Sequence, residues 1–222
     1  LLENGNIKNQ FIKPKVMKNA RLKAIYNETF SDLKLFYRDT NLPENLISNY
    51  KVGQIIQEKG FTDMTSIGGG VSGNFRYLIA SAHAKDLSKF NPDSAKIGHF
   101  LLDTIAYFKV LDIYKIGDKT QVFLLNIPDN SLSLFKNSSS NLEEEITEKA
   151  RKKFNDKNDA PLIADLQTEN WKERTKSPIG MNDNGELFFD DSKIKTEPFK
   201  KIEINIAEKT IKLNKKPWWK IW

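Results

Sequence analysis

The segment that most restricts the fold is 107–127. Tyr107–Tyr114 and Gln121–Ile127 are two short runs of aliphatic and aromatic residues joined through Ile116-Gly117-Asp118-Lys119. Such side chains favour a pleated backbone, and a Gly-Asp pair between two such runs reads as a hairpin loop. Arg76–Ala80 and Phe100–Leu102 read as further strands, and Glu186–Phe189, Lys201–Ile206 and Thr210–Leu213 as late ones. Helical spacing lies on both sides of this strand-rich centre. Leu22, Ile25, Tyr26, Phe30 and Leu33 predict an amphipathic helix over 16–33, and Leu142, Ile146, Ala150 and Phe154 predict one over about 141–155. The Glu143-Glu144-Glu145 run near the start of the latter suits the helix dipole and reads as a solvated face. Leu42–Ile47 reads as a short helix, with Asn41 as its cap and Pro43 near its first turn. Gly68-Gly69-Gly70 with Gly73 reads as a flexible loop, and the polar stretch 155–184 as loop-rich. The pattern predicts a mixed α+β fold.

The 222 residues are 39% hydrophobic and 11% aromatic, enough for a sizeable core in one large domain or two small ones. The absence of cysteine excludes a disulfide framework, a thiolate nucleophile and a cysteine-based zinc site. No apolar run approaches the roughly 20 residues of a membrane helix. The net charge of +6 is unevenly spread, with nine basic and fourteen acidic residues over 129–191, and nine Lys against three Glu in the last thirty. That basic tail carries Phe199, Trp218, Trp219 and Trp222, which suit either a nucleic acid contacted by charge and stacking or a solvated surface anchored by its aromatics.

The most specific stretch is 34–67. Leu35-Phe36-Tyr37-Arg38 is an apolar run ending in Arg, followed by a small polar turn, and Gly60-Phe61-Thr62-Asp63-Met64-Thr65-Ser66 is a Gly-Phe leading into a hydroxyl-bearing strand. Further on, Lys96-Ile97-Gly98-His99 precedes the apolar Phe100-Leu101-Leu102. In this order the segments resemble the Arg, Ser/Thr and Glu signatures of mono-ADP-ribosyltransferase toxins, over about residues 22–127. The resemblance implies a split, mainly antiparallel sheet with helices ahead of it, and NAD as substrate. It places Arg38 on the NAD phosphates, which a guanidinium can grip bidentately, and Thr65 and Ser66 beside the nicotinamide. It adds Phe61 and Tyr107 to the NAD-binding set. His99 stands where the catalytic Glu is expected. Asp63-Met64-Thr65-Ser66 is one residue longer than a plain Ser-Thr-Ser, so both hydroxyls are candidates. Glu143, Glu145 and Glu169 are candidates for a relocated acid.

On this reading residues 1–14 form a linker, 15–128 the transferase-like core and 129–222 a C-terminal α/β extension. The chain would be a toxin domain delivered by a larger protein, acting on a macromolecule in the target-cell cytoplasm and restrained by a cognate immunity protein in the producer, with no membrane contact and no metal. Two other readings stay open. His83 and His99 with Lys85 or Lys96 would serve a metal-independent ribonuclease, and the missing Glu suits a non-catalytic nucleotide- or partner-binding module. Each candidate also has an ordinary explanation: Arg38 as an ion-pair partner of Asp39 or of an acid from the acidic 129–191 segment, Thr65 and Ser66 as turn hydroxyls, His99 as a half-buried, hydrogen-bonded histidine. Gly68–Gly73 lacks both the Walker Lys and the Gly-x-Gly-x-x-Gly spacing.

Overall fold

All seven residues of Phe75–Ser81 are buried, which only a strand flanked on both edges and covered on both faces can achieve. In the computed structural model, which describes residues 13–196 and 200–202, this strand sits at the middle of an eight-stranded sheet. The elements run α1 (Lys13–Phe30), β1 (Lys34–Thr40), α2 (Glu44–Ile47), β2 (Ile55–Glu58), β3 (Thr62–Thr65), β4 (Phe75–Ser81) and β5 (Lys85–Asp86). They continue with α3 (Pro92–Lys96), β6 (His99–Leu102), β7 (Ala106–Ile116), β8 (Lys119–Ile127), α4 (Leu132–Lys136), β9 (Ser138–Ser140), α5 (Asn141–Lys157), α6 (Glu169–Thr175) and β10 (Lys200–Ile202).

The sheet order is β2-β7-β8-β4-β1-β3-β6-β5. Every pair is antiparallel except β4–β8. The fold is therefore mixed α+β with a mainly antiparallel sheet. β7 and β8 form the hairpin, turning at Gly117 with φ +59°. β1 pairs with β4 along its whole length but meets β3 through the single opposed pair Tyr37 and Thr65. At that joint the sheet parts, and Arg38, Thr65 and His99 lie beside it. One face is covered by α1, α4 and α5, which bury Tyr26, Phe135, Ile146 and Ala150 against Leu78, Phe123 and Leu125. The other packs Phe36, Met64, Tyr77 and Phe108 against Leu46 and Ile47 of α2 and against Ile179 and Met181.

Several expectations are corrected. α1 begins at Lys13, so the end of the supposed linker is helical, and it stops at Phe30; residues 1–12 lie outside the described residues. Pro43, not Asn41, occupies the cap position of α2, and the Asn41 side chain instead accepts from the Asn74 amide. The glycine loop is packed: a Cβ on Gly70 would lie 2.0 Å from the Ala160 carbonyl oxygen, and the Gly70 amide donates to Pro161. Glu186–Phe189 forms no strand, only the bridge between Leu187 and Met181. The polar 155–184 stretch contains α6, capped by the Thr168 hydroxyl. Of the late strands, Lys200–Ile202 pairs in parallel with β9, while Thr210–Leu213 lies outside the described residues. Glu143 is not solvated: it is 4% exposed and ion-paired to Lys109 at 2.8 Å. Among the described residues, no helix is long and apolar enough to cross a membrane, and no three His, Cys, Asp or Glu side chains gather as a metal site.

Candidate functional site

Three neighbouring strands carry the residues singled out from the sequence. Arg38 lies on β1, Thr65 ends β3 and His99 opens β6. Tyr37 stands opposite Thr65, and Thr65 opposite His99, so these three share one face. Arg38, one residue along, leaves β1 on the other. Asp63 joins the two sides. Its carbonyl accepts from Arg38 Nη1 at 3.4 Å, and its carboxylate binds His99 Nε2 at 2.7 Å. A carboxylate only accepts, so the proton of neutral His99 sits on Nε2, and Nδ1 presents a lone pair. Nδ1 lies 3.4 Å from the Ser94 hydroxyl on α3.

The turn ahead of His99 is tied down by the second motif. Thr65 Oγ1 donates to the Ile97 carbonyl, and Ser66 Oγ to that of Gly98 at 3.2 Å. Gly98 has φ +53°, and a Cβ there would lie 2.5 Å from Ser66 Oγ, so the glycine is needed both for the turn and for the close approach.

Arg38 is 5% exposed and has no carboxylate at ion-pair distance among the described residues. Asp39, one of its expected partners, is instead held by Arg76 through contacts of 2.6 and 2.7 Å, and no acid of 129–191 pairs with Arg38 among the described residues. The Arg38 guanidinium donates to the Ser177 carbonyl at 2.8 Å, and its Nε has no partner among the described residues. Burial lowers its pKa from the ordinary value, opposed by the nearby Tyr77, Asp63 and Glu58. Tyr77 itself is pushed up to about 12, chiefly by burial. Its hydroxyl lies 2.5 Å from that of Tyr50 and accepts from the Ile179 amide.

Residues 168–181 cover the joint. Trp171 on α6 meets the His99 ring edge-on with centroids 5.4 Å apart, Arg174 reaches the Asp63 carboxylate at 3.4 Å, and Ser177 caps Arg38. A cavity of about 190 Å³ lies between the glycine loop and α6, with Tyr37, Thr65, Arg76 and Trp171 in its wall. A groove of about 570 Å³ reaches Ser94 and His99 past Phe90, Lys96 and Arg174.

Other candidates lie elsewhere. Phe61 is exposed at the turn before β3. Tyr107, on β7, is three strands from β1, about 14 Å at ordinary strand spacing, and is bonded to Gln57 and packed on Phe189. His83 and His99 are not brought together: Lys85 pairs with Leu101, which puts His83 at the far end of β6 from His99. Lys85 is engaged by Asp103, whereas Lys96 does line the His99 groove. Of the proposed relocated acids, Glu143 pairs with Lys109, Glu145 with Lys149 and Glu169 with Lys172, and none is a partner of His99. Most of the basic tail lies outside the described residues. Asp63, Ser94, Trp171 and Arg174 were missed. Asp63 stood inside the second motif, and its polar side chain in place of a small hydroxyl was a readable signal; the other three carry none.

No protein-family model and no curated protein matches the chain. Among solved structures it is similar to the type III effector XopAI from Xanthomonas axonopodis pv. citri, at 15% identity and TM-score 0.38 over 46% of each chain. It is similar to the ADP-ribosyltransferase HopU1 of Pseudomonas syringae pv. Tomato DC3000, at 17% identity and TM-score 0.37 over 44% of this chain and 46% of that one. It also resembles the Vis toxin, an ADP-ribosyltransferase from Vibrio splendidus, at 14% identity and TM-score 0.36 over 55% and 64% of the two chains. The chain thus spans about half the length of the first of these structures.

Proposed function

We propose that this chain is an ADP-ribosyltransferase-type effector domain that consumes NAD and modifies a macromolecule. The observation that carries the reading is the meeting of three segments that are far apart in sequence: Arg38, Asp63 with Thr65, and His99 converge on adjacent strands and are linked through Asp63. Loss of nicotinamide leaves positive charge on the ribose, and a carboxylate is the group that stabilises it. In this site the carboxylate belongs to Asp63, with His99 and Arg174 holding it. Arg38 is a buried cation with no carboxylate partner among the described residues, and suits a pyrophosphate. Ser177 covers the Arg38 guanidinium and Trp171 stands against the His99 ring. NAD entry therefore requires residues 168–178 to withdraw.

Delivery within a larger protein, action in the target-cell cytoplasm and restraint by an immunity protein belong to the same reading. The acceptor is a protein or a nucleic acid. The test is nicotinamide release from NAD between about pH 5.5 and 8, a range that brackets an ordinary imidazole. Wild type, Arg38→Ala, His99→Ala and the uncovered Trp171→Ala are compared, each checked for folding. Release by wild type, higher in Trp171→Ala and lost in the other two, supports the reading. No release by folded wild type or Trp171→Ala in an acceptor-rich lysate sinks it, and leaves a ligand-binding module of the same fold.

A further inference from the structure

The nitrogen of His99 that faces away from Asp63 takes no part in the reaction described above, and it faces a serine. We propose that Ser94, His99 and Asp63 form a nucleophile, base and orienting acid for acyl transfer, with a carboxylic ester as the class of substrate, entering along the Phe90–Arg174 groove.

The geometry has the elements such a site needs. Asp63 accepts from His99 Nε2 at 2.7 Å and so fixes the tautomer with the free lone pair on Nδ1. That lone pair faces Ser94 Oγ at 3.4 Å, a distance in keeping with resting nucleophile–base pairs, which tighten when substrate is bound. The ring cannot swing freely: Trp171 stands edge-on to it, and the turn before it is locked by Thr65 and Ser66. The third position of α3 sets Ser94, and the helix is started by Pro92 and by the Asn91 side chain accepting from the Asp93 amide. Ser94 and His99 are both buried yet line the 570 Å³ groove. Its apolar side is formed by Leu87, Phe90 and Trp171, and its cations are Lys96 and Arg174, paired at rest with Asp93 at 3.1 Å and Asp63 at 3.4 Å, which an oxyanion would have to draw away.

The chemistry balances with water as the only co-reactant. Ser94 Oγ forms a bond to the ester carbonyl carbon as its proton passes to His99 Nδ1, and the Asp63 carboxylate steadies the imidazolium. Collapse breaks the carbon–oxygen bond to the alcohol, which leaves with that proton. Water then attacks the acyl-serine, giving its proton to Nδ1, and Ser94 departs from the carbonyl carbon and recovers it. The products are acid and alcohol.

This proposal does not depend on NAD chemistry, so its probe is a fluorophosphonate, which phosphonylates an activated serine and releases fluoride. The 222-residue wild type, Ser94→Ala and His99→Gln are treated with the probe, checked for folding by thermal melting, and digested for mass spectrometry. The expected result is one adduct on the peptide containing Ser94, absent in Ser94→Ala and formed at least about 100-fold more slowly in His99→Gln, in line with the 10²–10⁴-fold worth of a positioned base. If His99→Gln does not fold, Asp63→Asn replaces it. Loss of the positioning carboxylate slows labelling and shifts its pH profile, which a merely structural residue would leave in place. Folded wild type without an adduct, or labelling at Ser94 as fast in the His99 or Asp63 variant as in wild type, overturns the proposal.

Discussion

Arg38 and Lys109 are both buried cations, and they are expected to respond in opposite ways to removal. Among the described residues the Arg38 guanidinium bonds to two carbonyl oxygens, leaves its Nε unpartnered and has no ion pair, an arrangement that costs desolvation. Arg38→Met should therefore leave the unfolding free energy within about 1 kcal/mol of wild type or raise it, while abolishing nicotinamide release. Urea melts beside the release assay check this, and a loss of several kcal/mol would make Arg38 a structural residue. Lys109 instead faces the Glu143 carboxylate at 2.8 Å inside the protein. Lys109→Met strands that carboxylate and should cost about 3–5 kcal/mol at neutral pH. Burial already raises the Glu143 pKa above its ordinary 4.5, with Lys109 pulling it back. A raised carboxyl pKa stabilises the native state below the unfolded value and loses that contribution as pH rises through the folded one. The penalty of Lys109→Met should therefore shrink as the pH approaches 4.5, and Glu143→Gln should remove that part of the pH dependence. Denaturant melts from about pH 4.5 to 8 measure both.

At the scale of elements, α6 decides whether the joint of the sheet is reachable. Seven residues long, it is too short to persist alone. Its position comes from Trp171, 5% exposed, and from the chain that follows, where Ile179 and Met181 are buried on the second face of the sheet. Trp171→Ala should cost about 3–5 kcal/mol as a buried aromatic truncation, yet speed nicotinamide release by uncovering His99. A thermal melt and the release assay on one preparation separate the two effects. The glycine loop is the counterpart on the other side of α6. Arg76 donates to the Gly69 and Gly70 carbonyls at 3.2 and 3.0 Å, and Ala160 packs against Gly70. Gly70→Ala should destabilise by about 1–3 kcal/mol through overpacking, against a negligible change for Gly60→Ala, whose Cβ would meet only the Glu58 side chain at 3.4 Å. Equal melting temperatures for the two variants would contradict the packed loop.

At the scale of the whole molecule, local pattern accounts for the elements and distance in space accounts for the site. The β7–β8 hairpin, α5 and strands β4 and β6 were legible because each is written in side-chain spacing that only the local backbone has to satisfy. The convergence of Arg38, Thr65 and His99 was legible to the extent that three motifs in order imply neighbouring strands. Their partners were not. Whether Asp39 takes Arg38 or Arg76, whether Glu143 is solvated or meets Lys109, and whether the polar stretch 155–184 stays a loop or lays Trp171 on His99 are all settled by contacts between residues distant in the chain. No periodicity encodes such contacts. The order of residues therefore settles which segments become strands and helices, since hydrophobic spacing acts within a few residues. Only the tertiary structure settles that Asp63 joins Arg38 to His99, that Ser94 stands behind the ring, and that residues 168–181 close over them, because burial selects partners after the chain has folded back on itself.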